Sequence, residues 1–154
     1  MAGPYRHQAL IEAPLEDVWE VVIDPRTHPD WWPEVMAVEG PEQLSEGGEY
    51  VRKTASLVPF VDAVETIWVV ERLDHLREAR FRCTVSGAMA RFTLTSAQAD
   101  TYVELEADID PTSLKWRLVK PVFGLQFKKW IIDVLDALPG AIRSRADAGA
   151  AVQK

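Results

Sequence analysis

A chain of 154 residues with 47 % apolar and 27 % charged side chains, 10 Pro, 8 Gly and a net charge of −7 has the balance of one globular domain, 1–154, with its ordered core expected over about 5–146. At that length it should bury about 68–70 % of its unfolded surface and hold a core without staples. The single Cys83 excludes an internal disulfide and an all-cysteine zinc site, no apolar run approaches the roughly 18 residues of a membrane span, and the acidic balance speaks against nonspecific nucleic-acid binding.

Tyr5 to Glu12 reads as a strand that stops at Ala13-Pro14. Pro14 then opens a helix, because a proline at the first helical position gives up an N–H that had no partner there. Glu16 and Asp17 favour its dipole, and Leu15, Val18, Trp19, Val22 and Ile23 form one apolar face. Asp24-Pro25 ends this helix, since the residue before proline is pushed out of the α region. Three prolines between Pro25 and Pro33 leave room for a short helical turn or a loop, and the adjacent Trp31 and Trp32 need something to pack on.

Val35 to Glu39 reads as a second strand and Gly47-Gly48 as a turn. From Glu49 to Ile109 the period is two, the signature of an antiparallel sheet with one dry and one wet face. Val61 to Leu73 is a long strand. Phe81, Cys83 and Val85 oppose Arg80, Arg82 and Thr84; Ala88, Ala90, Phe92 and Leu94 oppose Met89, Arg91, Thr93 and Thr95; Val103, Leu105, Ala107 and Ile109 share a third apolar row. The outward arginines and carboxylates suit cross-strand ion pairs of small energetic value. Asp74 to Arg77, Ser86-Gly87 and Ala99-Asp100 read as hairpin turns. The last forty residues read as helix with a wide stripe at Val119, Phe123, Phe127, Trp130, Val134 and Leu138. Pro121 should start or kink that helix, Pro139-Gly140 should kink or interrupt it, and the chain beyond Asp147 should fray.

The fold class is therefore α+β: about seven antiparallel strands curved around a long C-terminal helix, with two short helices after the first strand. Ile11-Glu12-Ala13-Pro14-Leu15-Glu16-Asp17-Val18-Trp19 resembles the opening signature of the START-like, or SRPBCC, superfamily, which includes polyketide cyclase/dehydrase and lipid-transport proteins and birch-pollen-allergen-like proteins. Asp24 to Pro33 and Gly47-Gly48 are similar to its next elements. The resemblance implies the helix-grip fold around a deep hydrophobic cavity. It also implies binding, sequestration or transport of a lipid or polyketide-like molecule, with a polyketide cyclase or dehydratase as the enzymatic alternative. Fold membership alone does not choose between them.

On this reading the inward aromatics line the cavity: Trp31, Trp32, Trp68, Phe81, Phe92, Phe123, Phe127 and Trp130, with Val134. Proton transfer would need a buried titratable group, and the candidates are Glu65, Asp62 and Arg52, with Tyr50 to orient a carbonyl or hydroxyl. Glu65 shares a strand row with Val61, Ala63, Ile67 and Val69; whether that row faces inward or outward decides its role. His7, His28 and His75 fall on a strand, a loop and a turn, without metal-ligand spacing, so His28 reads as exposed loop polarity and no metal is expected. No Gly-rich phosphate cradle is present and no cofactor is expected. Residues 1–114 carry 9 basic and 21 acidic side chains, net −12, whereas 115–154 carry 8 and 3, net +5. Lys115, Arg117, Lys120, Lys128 and Lys129 could dock on an anionic surface, which makes an interaction module the third reading; complementarity with the acidic sheet is the simpler one. Met1 to Arg6 shows no basic stretch followed by an apolar one, so the expected location is cytoplasmic.

Overall fold

The computed structural model describes residues 4–55, 63–85, 87–108 and 114–152 and, within the last segment, the side chains of 118, 124, 125 and 127–147. Strand β1 (Tyr5–Ile11) leads into α1 (Leu15–Ile23), then a 3-10 turn over Pro25–Thr27 and the one-turn helix α2 (His28–Trp31). Strands β2 (Val35–Glu39), β3 (Glu49–Ala55), β4 (Ala63–Asp74), β5 (Glu78–Cys83), β6 (Met89–Ala97) and β7 (Asp100–Asp108) follow, and α3 (Leu114–Val152) closes the chain. The seven strands form one antiparallel sheet in the order β1-β7-β6-β5-β4-β3-β2. This is the helix-grip arrangement.

Local chemistry sets the boundaries. Pro14 caps α1 from an extended conformation (φ −62°, ψ 152°), one residue earlier than a first helical position. Asp24 ends α1 with extended backbone and accepts the Arg26 N–H at 3.0 Å, starting the next turn. The register shifts between Val35 and Ala37 and between Val70 and Arg72, and such bulges bend a strand. The β4–β5 and β6–β7 turns place Leu76 (φ 64°) and Gln98 (φ 62°) in the left-handed region.

The period-two rows of β6 and β7 face where the sequence puts them. Ala90, Phe92 and Leu94 and, across the ladder, Val103, Leu105 and Ala107 are buried, with Phe92 opposite Leu105 and Ala79. On the other face Arg72 and Arg91 flank Glu78 at 2.9 and 3.4 Å, Arg82 reaches Glu71 at 2.8 Å, and Arg6 reaches Glu106 at 3.2 Å. Val85 departs from its expected row: β5 ends at Cys83, the chain turns, and Val85 is 73 % exposed.

The buried faces of α1 (Val18, Trp19, Val21, Val22) and α3 (Ile131, Val134, Leu135, Leu138, Ala141, Ile142) cover the dry side of the sheet. Pro139-Gly140 does not interrupt α3, and the helix continues past Asp147 to Val152. A proline inside a helix costs one backbone hydrogen bond and a clash, but Leu138, Ala141 and Ile142 on either side remain anchored in the core, so packing holds the axis together. Gly124 faces Tyr5 so closely that a Cβ would collide with the Tyr5 hydroxyl. The Tyr5 ring meets Phe127 at 5.4 Å, which fixes α3 against β1. Arg145 reaches from α3 to Asp24 at 2.9 Å, joining the basic C-terminal part to the acidic remainder.

Phe92 is fully buried at the centre of this packing. Phe92→Ala should lower unfolding free energy by about 3–5 kcal/mol in urea titrations. Leu125→Ser, at a position 81 % exposed, should change it by no more than about 0.5 kcal/mol.

Candidate functional site

The inner face of β3 carries Tyr50 and then Arg52, side by side along the strand and both buried, Arg52 at 1 % exposure. Gly40 makes room for the first: a Cβ there would lie 2.8 Å from the Tyr50 Cβ. Next to them on β4, Trp68 pairs with Tyr50 and Thr66 with Arg52. From above, α2 and its C-cap supply His28, Trp31 and Trp32, all buried. Thus two strands and a proline-bounded helical turn converge on one guanidinium.

Arg52 lies with its guanidinium carbon 4.2 Å from the Trp32 ring centre and 4.1 Å from that of Trp68, between two indoles. Such cation–π contacts are worth about 2 kcal/mol each when desolvated. One terminal nitrogen donates to the Tyr50 hydroxyl at 3.3 Å and approaches His28 Nδ1 at 3.5 Å. Among the described residues no carboxylate pairs with Arg52, and its Nε–H, sealed from solvent, has no acceptor. The Trp32 Nε1–H is likewise buried without an acceptor. The neighbouring indoles are satisfied: Trp31 donates to Thr27 Oγ1, Trp68 to Thr66 Oγ1, and Trp130 to Glu34.

His28 is neutral here. Burial first, and then the Arg52 charge, push its pKa down to about 3. Its Nε2–H donates to the Val22 carbonyl (3.3 Å), which leaves the Nδ1 lone pair for Arg52. Burial raises the Tyr50 pKa against the opposing pull of Arg52, so the phenol keeps its proton. For Asp24 burial acts upward, but the side-chain and backbone hydrogen bonds and charge of Arg26, with Arg145, outweigh it and hold the carboxyl below its usual range.

The aromatic layer extends from this cluster. Trp31 and Trp32 meet Phe92, Phe81 contacts Tyr50, His28 and Phe92, and Trp32 contacts Trp130, which stacks on Phe127 at 5.4 Å. Of the expected lining residues, Trp31, Trp32, Trp68, Phe81, Phe92, Phe127 and Trp130 are therefore brought into one connected layer, and Val134 is buried in the core beside them. The Phe123 side chain and Asp62 lie outside the described residues. Of the acid–base candidates, Arg52 and Tyr50 meet. Glu65 does not join them: the inner row of β4 is Thr66, Trp68 and Val70, and Glu65 sits exposed on the opposite face with Ile67, opposite Lys53. His28, expected as exposed loop polarity, is the residue that sequence reasoning misplaced. Its nearness to Trp31-Trp32, which had to be buried, was the available signal.

A groove of mixed character on the other side of the sheet, lined by Gln8, Arg91, Thr93, Thr95, Tyr102, Val103 and Glu104, opens to solvent away from this cluster. Lys128 and Lys129 are exposed, as are Leu118 and Leu125; the side chains of Lys115, Arg117 and Lys120 lie outside the described ones. Among the described residues no helix is long and apolar enough to cross a membrane, and no three His, Cys, Asp or Glu side chains converge as metal ligands would.

Residues 5–146 match the family described as polyketide cyclase/dehydrase and lipid transport. The chain belongs to this family. Solved structures agree on the fold of this family member. TTHA0849 from Thermus thermophilus superposes with a TM-score of 0.72 at 16 % identity, over 93 % of this chain and 99 % of the other. SA2116 from Staphylococcus aureus gives 0.73 at 11 % identity over 94 % and 96 %. DynU16, a protein of the dynemicin biosynthetic locus, gives 0.65 at 18 % identity over 93 % of this chain and 48 % of that one. No functionally curated protein matches the sequence.

The depressed His28 pKa sets a pH dependence. Between its ordinary value near 6.5 and about 3, the unfolded chain binds a proton that the folded chain excludes. Stability conferred by neutral His28 is therefore complete above pH 6.5 and falls as pH drops toward 3, by at most about 1.4 kcal/mol per pH unit. Urea titrations from pH 7 to pH 4 should show this slope, and His28→Gln should remove its share while leaving that of Asp24, which loses stability in the same direction at lower pH.

Proposed function

We propose that this family member binds and sequesters or carries a hydrophobic small molecule, lipid-like or polyketide-like, between the curved sheet and α3. The observation that carries the reading is the connected aromatic layer around Arg52, which among the described residues holds that cation and two donors without acceptors, Arg52 Nε–H and Trp32 Nε1–H. Binding sites for small apolar molecules combine mostly apolar walls with a few polar groups that fix orientation, and this layer has that composition. Membership in a family described by cyclase, dehydrase and lipid-transport activities supports the same reading.

A second reading, cyclisation or dehydration of a polyketide-like chain, has one observation in its favour: Arg52 and Tyr50 lie 3.3 Å apart, a pair able to polarise a carbonyl. In that reading the enclosed layer folds a flexible substrate and lowers the entropic part of the barrier. The exposed Glu65 takes no part.

The uncharged fluorophore N-phenyl-1-naphthylamine tests the binding reading. It should bind saturably, one per chain, with enhanced emission, and native mass spectrometry of protein from its own host should show a retained apolar molecule. Absence of saturable uptake together with a bare mass would overturn the reading. Turnover of a polyketide-like chain that disappears in Tyr50→Phe while uptake of the fluorophore persists would select the enzyme.

A further inference from the structure

The polar end of the guest can be read from the donors that await it. Resting on the binding reading above, we propose that the guest is an amphipathic carboxylic acid whose carboxylate is received by Arg52 and the Trp32 indole N–H.

Three features of the cluster lead there. First, charge: Arg52 is only 1 % exposed and, among the described residues, faces no acidic side chain, although the chain has an excess of acids. Two indole faces and two neutral acceptors offset part of the desolvation of a guanidinium, but none of them supplies a counter-charge. Second, the donor count: among the described residues Arg52 Nε–H and Trp32 Nε1–H both lack partners, and they belong to buried groups stacked on one another. The acceptors at hand, Tyr50 Oη and His28 Nδ1, are already engaged by the terminal nitrogen of Arg52. A carboxylate brings acceptors and no donor, whereas an alcohol or amide would bring donors into a cluster that already has too many. Third, His28 is held neutral, with its proton turned to Val22, so it adds no competing positive charge and presents a lone pair to Arg52. The aromatic layer from Trp32 to Trp130 and Phe127 provides the apolar run for the rest of the molecule.

The outward arginines differ in their charge pairing: although among the described residues the Nε–H of Arg80 and of Arg91 is also buried without a hydrogen-bond acceptor, a carboxylate lies beside each of these guanidinium groups. Arg6, Arg72, Arg80, Arg82 and Arg91 each meet a carboxylate across the strands within 4 Å. Among the described residues Arg52 is the arginine that is fully buried, and it meets none.

Displacement of N-phenyl-1-naphthylamine by a matched pair of ligands tests the proposal. At pH 7 dodecanoate should compete at concentrations about 10-fold or more below those needed for methyl dodecanoate, the size expected of a charge-assisted hydrogen bond. Arg52→Met should abolish the preference while the neutral fluorophore still binds, and Trp32→Phe, which keeps a ring over Arg52 but removes the N–H, should reduce it. Equal competition by acid and ester in the wild-type protein would overturn the proposal and leave the binding reading standing. Failure of the fluorophore and both ligands to bind would overturn both. Should Arg52→Met fail to fold, the carboxyl signal of [1-13C]dodecanoate bound to the wild-type protein decides: it should titrate well below its value in free solution, and titration at or above that value would overturn the proposal.

Discussion

A guanidinium that meets no carboxylate among the described residues, pressed between two indoles, constrains the rest of this molecule. Desolvating such a charge is tolerable only if its surroundings are polarisable and correctly oriented, so β3, β4 and the Pro25–Trp32 turn must all arrive at fixed distances from Arg52. Gly40 lets Tyr50 come close, Thr66 holds the Trp68 indole, and the helical turn that begins at His28 presents an imidazole and an indole together. Burial first, and the same charge second, keep His28 neutral, which in turn lets that ring serve as an acceptor. Each residue here depends on the next, and small displacements would be felt across the cluster because buried polar networks leave little slack.

Around this centre the fold separates charge by layer. The acidic and basic side chains of β4, β5 and β6 neutralise one another on the outer face, while the dry face is covered by α1 and α3. Among the described residues the basic character of the C-terminal part finds an internal use in Arg145, which reaches Glu20 on α1 and Asp24 just after it. Asp24 thereby has three tasks: it ends a helix, starts the following turn and ties the last helix to the first.

Where one strand face was dry and the other polar, the sequence was legible, as in β6 and β7, because alternation of Phe92 and Leu94 with Arg91 and Thr93 leaves one orientation. In β4 it was not: Ile67 and Val69 are as apolar as Trp68 and Val70, so period two could not say which row faced inward, and the place of Glu65 depended on that choice. Proline density suggested a loop around His28 and hid its burial, since a one-turn helix leaves no periodicity to read. The continuity of α3 through Pro139 escaped for the opposite reason, that tertiary packing outweighed a local preference. Arg52 and Tyr50 were visible as polar residues in an apolar strand; the indoles that surround Arg52 come from elements distant in sequence.

The two ends of the sheet differ from its middle. Because α3 packs along β1 and, among the described residues, no strand joins β1 to β2, the ribbon stays open, and its rims would offer a template to any extended chain that met them. The β2 rim is only five residues long and is broken by the bulge near Met36, so an incoming strand finds no continuous ladder to extend. The irregularity in this strand thus also guards the molecule against edge-to-edge aggregation.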